Sequence, residues 1–278
     1  MAKIIDGKKV AASVKAEVSK EVAELNKKGI TIGLAVIIVG DNSASRVYVN
    51  SKKKDCAEVG IISSEYAMPD STTMEELLAL IHKLNGDDKV NGILCQLPLP
   101  KHLDEKKVIE AISPSKDVDA FHAINVGHIM IGDHTFLPCT PAGIMEMLKF
   151  YDISVEGKEC VVIGRSNIVG KPMAMLLLEQ NGTVTICHSR TKDLKEVTKR
   201  ADILVAAVGI PHFVSGDMVK DGAVVIDVGM DRDKDGKLCG DVDFEEVEKK
   251  ASFITPVPGG VGPMTRAMLL KNTLTAVK

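Results

Sequence analysis

The chain has 278 residues, with 35 lysines and arginines against 38 aspartates and glutamates, so its formal net charge is only −3. A charge so close to balance excludes wholesale electrostatic binding to nucleic acid or to an anionic membrane. Hydrophobic residues make up 45% and charged residues 26% of the chain, which is typical of a globular protein with one large or two ordinary domains.

The sequence predicts a reduced, cytoplasmic protein. Residues 1–10 lack the apolar core of a signal peptide, and no run of about 18 apolar residues predicts a transmembrane helix. The six cysteines are scattered, with no C-x-x-C pair or other metal-ligand spacing, so we expect free thiols and no metal.

The first half of the chain alternates apolar strands with helices, a pattern typical of a parallel α/β sheet. Thr73 and Glu76 have the spacing of a capping box, and Gly60 is suited to end a helix. The predicted elements are a strand over 34–39, a helix over 43–59, a strand over 61–66, a helix from 73 to about 85, a strand over 92–97 and a helix over 104–112.

The second half repeats the alternation after a region, 113–141, that is rich in turn formers. The predicted elements are a hinge at 138–141, a helix over 142–150, a strand over 160–164, a helix over 168–180, a strand over 183–187, a helix over 193–199 and strands over 202–208 and 223–228. A Pro- and Gly-rich linker over 256–263 precedes a final helix over 264–276 that is expected to pack on the first domain.

We therefore predict an α/β fold with two α/β domains. The first domain spans 1–139 and is completed by 256–278, and the second spans 140–255.

A glycine-containing turn follows the apolar strand at 160–163 and precedes a helix. Gly164 permits a tight turn and Gly170 permits close packing of helix on strand, and such a turn offers backbone N–H groups to a pyrophosphate. Ser166 replaces the middle glycine of the standard dinucleotide fingerprint and Gly170 falls one residue late, so an ordinary strand–helix turn is the alternative. Arg165 could reach a phosphate or be a solvated surface arginine.

About 25 residues further on, a second strand ends at His188-Ser189-Arg190, without an acidic residue. An acidic residue there would bind a ribose 2′-OH, whereas Ser189 and Arg190 suit a 2′-phosphate. The sequence therefore predicts that the second domain is Rossmann-like and binds NADP.

Tyr48 and Lys52 lie one turn apart on one face of a predicted helix. A phenol and an ammonium group so placed can act as an acid and base pair. The alternative is a lysine-rich, solvated helix face with one packed tyrosine. The pair precedes the glycine turn by more than a hundred residues and belongs to the other domain, so we expect an interdomain active-site cleft.

Three further segments carry candidate ligand-binding groups. Gln96 ends a strand, where open parallel sheets bind ligands, and could hydrogen-bond Lys52 or a substrate amide. Asp119 could accept paired N–H donors from a heterocycle, and the glycines of 256–263 would allow backbone to approach a flat ligand. Each has an ordinary alternative: a strand-end turn, a solvated loop aspartate and a plain linker.

Six segments together resemble the bifunctional methylenetetrahydrofolate dehydrogenase/methenyltetrahydrofolate cyclohydrolase family. They occur in the family's order and cover nearly the whole chain: Tyr48-Val-Asn-Ser-Lys52, Gln96-Leu97-Pro98-Leu99-Pro100, Asp117-Val118-Asp119, Gly164-Arg165-Ser166 through Gly170 and Pro172, His188-Ser189-Arg190, and 256–263. Ala120 departs from the glycine that is common after Asp-Val-Asp, a change expected to add only a methyl group.

The resemblance implies two reactions in one site. Hydride passes from 5,10-methylenetetrahydrofolate to NADP+, and the resulting 5,10-methenyltetrahydrofolate is hydrolysed to 10-formyltetrahydrofolate. It also implies a place in one-carbon metabolism and purine biosynthesis, and a homodimer.

The resemblance further implies roles for individual residues. Lys52 would be the main catalytic group of the hydrolytic step, held by Gln96, while Tyr48 would orient the folate and Asp119 would bind the pterin amino edge. Additional substrate-binding residues would be Leu97, Pro98, Val257, Pro258, Gly259 and Gly260. The cofactor-binding residues would be Gly164, Arg165, Ser166, Ser189, Arg190 and Thr140.

Two other functions stay open on the sequence alone. A two-domain NADP dehydrogenase of the shikimate dehydrogenase kind also places a lysine opposite its cofactor, but it gives no reason for Tyr48, 96–100 and 256–263 together. A catalytically silent dinucleotide-binding sensor would not need intact Lys52 and Asp119. Reduction of NADP+ in the presence of methylenetetrahydrofolate distinguishes the three.

Overall fold

The computed structural model describes residues 1–277, apart from the side chain of Ala44. Within that part of the chain the α-helices are α1 (Gly7–Lys27), α2 (Ser43–Val59), α3 (Met74–Asn85), α4 (Glu105–Ala111), α5 (Ala123–Ile131), α6 (Cys139–Phe150), α7 (Gly170–Glu179), α8 (Leu194–Thr198), α9 (Phe244–Val247) and α10 (Val261–Thr275). The strands are β1 (Lys3–Ile4), β2 (Gly33–Val39), β3 (Ile62–Met68), β4 (Gly92–Cys95), β5 (Glu159–Ile163), β6 (Thr183–Cys187), β7 (Ile203–Ala206), β8 (Val224–Asp227), β9 (Asp231–Arg232), β10 (Leu238–Cys239) and β11 (Phe253–Ile254).

The residue contacts divide the chain into two compact units. The small-sheet unit comprises 13–139 and the chain from Arg266 onward, and the large-sheet unit comprises 1–12 and 140–265. Residues 1–12 and 256–265 thus group with the large sheet, unlike in the predicted domain boundaries. Pairing explains the first of these differences, because β1 lies parallel to β11 as an edge strand of the large sheet.

The small sheet contains three parallel strands in the order β3-β2-β4. The central strand β2 is buried along its whole length, as its continuous apolar sequence predicts. An isolated parallel bridge between Ile93 and Asp117 brings the segment after α4 beside β4. The chain segments that follow β2, β4 and Asp117 therefore lie at one edge of this sheet.

The large sheet contains six parallel strands in the order β1-β11-β8-β7-β5-β6. The chain passes from β5 to β6 on one side, and then to β7 on the other side of β5. This reversal is the topological switch point of a doubly wound sheet, and ligands of such sheets bind outside the carboxyl ends of the two strands that flank it. The predicted α/β fold class is confirmed.

All the strands and helices predicted from the sequence are present, with ends shifted by a few residues. The predicted hinge at 138–141 is wrong in part, because α6 already begins at Cys139. The predicted linker at 256–263 likewise runs into α10, which begins at Val261. Pro141 and Pro263 stand in the first turns of these helices, where the missing N–H is not required.

Three α-helices of the described residues were missed in the sequence: α1, α5 and the four-residue α9. The two-residue strands β1, β9, β10 and β11 were missed as well. The helix α1 buries Val10, Val14, Val18 and Val22, whose four-residue spacing is a helical signal. The helix α5 lies within the turn-rich region 113–141, where its short length and internal glycine hide its period.

Candidate active site

Helix α2 presents Tyr48 and Lys52 on one face. It starts directly after β2, where the Asn42 side chain accepts a hydrogen bond from the Ser45 N–H (3.0 Å), and it ends at Gly60, whose φ is +84°. Tyr48 and Lys52 are both partly buried. The predicted helix with its glycine stop is therefore confirmed.

Gln96 lies at the carboxyl end of β4, as predicted, and its backbone N–H donates to the Ile37 carbonyl (2.8 Å). The Lys52 Nζ donates to the Gln96 Oε1 at 3.0 Å, which confirms the expected hydrogen bond between the two side chains. The Gln96 Nε2 donates to the Leu97 carbonyl at 2.6 Å, so the amide oxygen is turned toward the lysine. Leu97 and the exposed Pro98 follow directly, joined by a cis peptide bond.

Asp119 belongs to the same electrostatic group. Burial raises the pKa of its carboxyl to about 6, the charge of Lys52 opposes that shift, and the nearby Asp117 adds to it. The Cys139 thiol donates weakly to the Asp119 Oδ1 (3.9 Å). Asp119 is therefore mostly ionised at neutral pH and can accept N–H donors. The structure brings Lys52, Gln96 and Asp119 together.

The backbone around Asp119 is held by a buried amide that sequence reasoning missed. The Asn272 Nδ2 donates to the carbonyls of Val118 and Leu137, both at 2.8 Å. The sequence offered little signal for this role, because Asn272 stands between two other polar residues, Lys271 and Thr273. Ala120 corrects another expectation. Its φ is +58°, so the usual glycine is favoured there by conformation and not only by size.

Tyr48 is a neutral phenol at neutral pH, because burial raises the pKa of its hydroxyl while Arg266 opposes that shift. Its hydroxyl can thus donate a hydrogen bond but does not act as a base. Asp55, two turns after Tyr48, accepts hydrogen bonds from the Arg266 Nε (2.6 Å) and from the Lys15 Nζ (2.5 Å). Sequence reasoning missed Asp55 and Arg266, since their partners lie far along the chain.

The glycine turn of the large-sheet unit has the predicted form. Gly164 has a φ of +127°, and a Cβ there would lie 2.2 Å from the Ala207 carbonyl oxygen. A Cβ on Gly170 would lie 2.3 Å from the Gly164 carbonyl oxygen, so helix α7 packs against the turn only with glycine. The exposed Ser166 accepts hydrogen bonds from two N–H groups, those of Val169 and Gly170 (both 3.2 Å). Arg165 is also exposed.

Ser189 and Arg190 lie in the turn that follows β6, which is the strand next to β5. The His188 Nδ1 accepts the Arg190 N–H (3.1 Å), and the His188 N–H donates to Thr191 (2.8 Å). Both Ser189 and Arg190 are exposed. The structure thus brings this turn and the glycine turn to the same edge of the large sheet.

The remaining predicted site residues group with the large sheet. Thr140 lies 2.8 Å from Thr265, measured between their hydroxyl oxygens. A cis peptide bond joins Val257 to Pro258, and Gly259 has a φ of +109°. A Cβ on Gly260 would lie 2.6 Å from the Pro256 carbonyl oxygen, so this segment needs its glycines for close backbone packing.

The cysteines are all free and buried. Burial raises the pKa of the Cys95 and Cys56 thiols to about 12, so neither is a reactive thiolate at neutral pH. Among residues 1–277 no group of three or more His, Cys, Asp or Glu side chains is arranged to hold a metal. Over the same residues, no helix has the length and apolarity needed to cross a membrane.

Two family models match the chain. The model described as tetrahydrofolate dehydrogenase/cyclohydrolase, catalytic domain, matches residues 5–119. The model described as tetrahydrofolate dehydrogenase/cyclohydrolase, NAD(P)-binding domain, matches residues 138–278.

Individual relatives agree with these matches. A curated relative from Acetivibrio thermocellus, named bifunctional protein FolD, is 66% identical over 277 residues and covers 100% of this chain and 97% of its own. A crystal structure of the bifunctional FolD enzyme from Campylobacter jejuni is 53% identical with a TM-score of 0.98, covering 99% of this chain and 98% of its own. The Trypanosoma brucei enzyme, described as complexed with NADP cofactor and inhibitor, is 41% identical with a TM-score of 0.95, covering 99% and 97%.

The alternative of a shikimate dehydrogenase is not supported. The enzyme of that kind from Aquifex aeolicus is only 17% identical with a TM-score of 0.52, which is a likeness of fold alone. The chain belongs to the tetrahydrofolate dehydrogenase/cyclohydrolase family, and it is an NADP-dependent oxidoreductase that forms 5,10-methenyltetrahydrofolate and a hydrolase that converts this product to 10-formyltetrahydrofolate.

Proposed function

We propose that Lys52, Gln96 and Asp119 carry the folate chemistry, with Tyr48 orienting the substrate. The observation that carries this proposal is the 3.0 Å hydrogen bond from the Lys52 Nζ to the Gln96 Oε1, beside the ionised Asp119. A cation, an amide and a carboxylate thus meet at the carboxyl edge of one parallel sheet, where open α/β sheets bind ligands.

We assign substrate binding to Asp119 and Tyr48. A carboxylate accepts paired N–H groups well, so Asp119 binds the amino edge of the pterin. The protonated Tyr48 offers an aromatic face and a hydroxyl donor. The other residues assigned to folate binding are Leu97, Pro98 and the segment 257–260.

The two reactions make different demands on these groups. The methylene-bridged folate is already iminium-like, so departure of the hydride depends on positioning more than on a strong base. Hydrolysis begins when water adds to the methenyl carbon and loses a proton, and it ends when a ring nitrogen gains one as the ring opens. Lys52 is the group that moves this proton: its amine accepts the proton from the attacking water, and the resulting ammonium, which donates to the Gln96 Oε1, returns the proton to the ring nitrogen.

The cofactor-binding residues fit a phosphorylated dinucleotide. The glycine turn at 164–170 joins β5 to α7, and a turn of this strand-to-helix form offers backbone N–H groups to a pyrophosphate. Ser189 and Arg190 stand exposed at the end of the neighbouring strand, where a hydroxyl and a guanidinium suit a 2′-phosphate. Bound NADP+ supplies the hydride acceptor, and Arg165 and Thr140 are further contacts in this assignment.

The proposal is tested by Lys52→Met, with Lys54→Met as the matched control on the same helix, because Lys54 is exposed. Hydrolysis of 5,10-methenyltetrahydrofolate should fall at least about 100-fold in Lys52→Met, a typical loss for a proton-transfer group. The same change should leave the Kd for NADP+ within about twofold of wild type. Equal rates of hydrolysis in both variants would refute the role of Lys52.

Compartment, pathway and assembly are part of the same proposal. Six free buried cysteines suit a reducing compartment, so we assign the protein to the cytoplasm. The product 10-formyltetrahydrofolate is a formyl donor, consistent with purine biosynthesis. The family resemblance suggests a homodimer, and light scattering should then give twice the chain mass of 29.8 kDa.

A further inference from the structure

A buried carboxylate fixes the segment that follows β7. Asp241 is fully buried, and its Oδ2 accepts the Val208 N–H at 2.7 Å while its Oδ1 accepts the Ile210 N–H at 2.8 Å. Gly209 lies between these donors with a φ of +67°, so the backbone turns both N–H groups toward one anion. Each oxygen of Asp241 is thus used to shape residues 208–210.

Asp241 is itself held in place by a second buried carboxylate at the end of β8. The Asp227 Oδ1 accepts the N–H groups of Gly229 and Asp241 (both 2.9 Å), and its Oδ2 accepts the Val242 N–H at 3.0 Å. A Cβ on Gly240 would lie 2.0 Å from the Asp227 Oδ2, so glycine is required beside this carboxylate. Asp227 at the end of β8 thus fixes the backbone of Asp241, and the Asp241 side chain fixes the segment after β7. We call this pair of carboxylates the aspartate relay.

That segment borders the glycine turn. The Ala207 N–H donates to the Ile163 carbonyl at 2.8 Å, and the Ala207 carbonyl oxygen lies where a Cβ on Gly164 would clash. Residues 207–210 therefore line the carboxyl edge between β5 and β7, the switch point of the large sheet. The side chain of Ile210 is about half exposed there, although it is apolar.

We propose that Asp241, held by Asp227, is a positioning residue for NADP that sets the backbone of 207–210 against the cofactor. The inference rests on the proposed assignment of the glycine turn and Arg190 to NADP. The aspartate relay contributes through geometry, because Asp241 has both oxygens occupied by backbone donors and is shielded from any ligand. A change in the backbone of 207–210 should weaken NADP binding. It should not change the rate of hydrolysis, which consumes no NADP and therefore serves as an internal control.

The first test is Asp241→Asn, which keeps the shape but turns an NH2 group toward one of the two N–H donors. The Kd for NADP+ should rise at least about tenfold, while hydrolysis of 5,10-methenyltetrahydrofolate stays within about twofold of wild type. An unchanged Kd in a folded variant, or a loss of NADP+ affinity accompanied by an equal loss of hydrolysis, would overturn the inference.

A second variant decides the matter if Asp241→Asn does not fold. Gly209→Ala strains the positive φ of the segment without touching either carboxylate, and its Cβ would meet no atom within 4 Å. Gly222→Ala is the matched control, since Gly222 has a φ of +81° and equally open surroundings just before β8. Gly209→Ala alone should weaken NADP+ binding; equal Kd values in the two variants would contradict the proposal.

Arg190→Ala, measured alongside, distinguishes a failure of the role of Asp241 from a failure of the proposed cofactor site. Loss of NADP+ affinity in Arg190→Ala but not in Asp241→Asn would reject the role of the aspartate relay and leave the proposed cofactor site intact. If Arg190→Ala also left the affinity unchanged, the cofactor site itself would be misassigned.

Discussion

Asp119 occupies a position that is costly for a charged side chain. Its pKa lies near 6 in the folded protein, against a usual value of 3.8, chiefly because the carboxyl is buried. Between these two pH values the folded protein keeps a proton that the unfolded chain has released. The stability contributed by this group therefore falls as pH rises from about 4 to 6, and stays at the lower level above that.

Asp119→Asn should remove this penalty. The variant should be more stable than wild type at pH 7.5, and its advantage should shrink by about 1 kcal/mol at pH 5, where the wild-type carboxyl is mostly protonated. Denaturant unfolding of both proteins at the two pH values measures the difference. If the variant exceeded wild type in free energy of unfolding by the same amount at both pH values, ionisation of Asp119 would carry no stability cost.

Arg190 determines cofactor choice in this account. Arg190→Ala should raise the Kd for NADP+ at least about tenfold, the usual effect of losing a hydrogen bond to a charged group, and should barely change that for NAD+. Titration of each dinucleotide against wild type and variant measures this. Equal losses of affinity for NADP+ and NAD+ would show that Arg190 does not bind the 2′-phosphate.

The residues that carry chemistry were predictable where a short motif contains them. Tyr48, Lys52 and Gln96 were singled out from spacing and strand position, and the structure joins the last two by a hydrogen bond. Asn272 and Asp241 were not, because each is defined by partners far along the chain. The sequence does not show which backbone groups such a buried polar side chain will bind, because those groups come close only in the folded chain.

At the scale of elements, three helices of the small-sheet unit meet at one carboxylate. Asp55 on α2 binds Lys15 from α1 and Arg266 from α10, and its side chain is only 8% exposed. Arg266 also acts on the Tyr48 hydroxyl. The cluster therefore links the packing of α10 to the helix that carries Lys52.

Asp55→Asn should destabilise the protein by about 2 kcal/mol, less than for a fully buried pair, because it leaves two partly buried cations without their counter-charge. Glu24→Gln is the control, since Glu24 and Lys27 form an exposed pair on α1 and its loss should cost less than about 0.5 kcal/mol. Urea unfolding gives both values. A similar small loss in the two variants would show that the Asp55 cluster contributes no more than a surface ion pair.

The longer strands were predictable because both sheets are parallel and their central strands have continuous apolar sequences, as in β2 and β5. The two-residue strands β1, β9, β10 and β11 were not predicted, because two residues show no apolar period. The starts of the two helices that contain a proline in their first turn were not predictable. The segments 138–141 and 256–263 resemble linkers by composition, yet α6 and α10 start within them, since proline is tolerated in the first turn of a helix.

In the whole molecule, the catalytic groups and the cofactor-binding turns belong to different units, whereas 257–260, which we assign to folate, group with the large sheet. Lys52, Gln96 and Asp119 lie in the small-sheet unit, and the turns at 164–170 and 189–190 lie in the large-sheet unit. The sequence predicted this order of parts, because the Tyr-x-x-x-Lys pair precedes the glycine turn by more than a hundred residues. It did not predict that 1–12 and 256–265 group with the large sheet.

One lysine, Lys52, serves hydrolysis, whereas hydride transfer depends on positioning of the substrate. The most direct test follows NADPH, 5,10-methenyltetrahydrofolate and 10-formyltetrahydrofolate over time in Lys52→Met supplied with 5,10-methylenetetrahydrofolate and NADP+. We expect that NADPH still forms and that the methenyl compound accumulates in equal amount, with no enzymatic 10-formyltetrahydrofolate. Formation of 10-formyltetrahydrofolate at the wild-type rate, or loss of NADPH formation in step with hydrolysis, would contradict it.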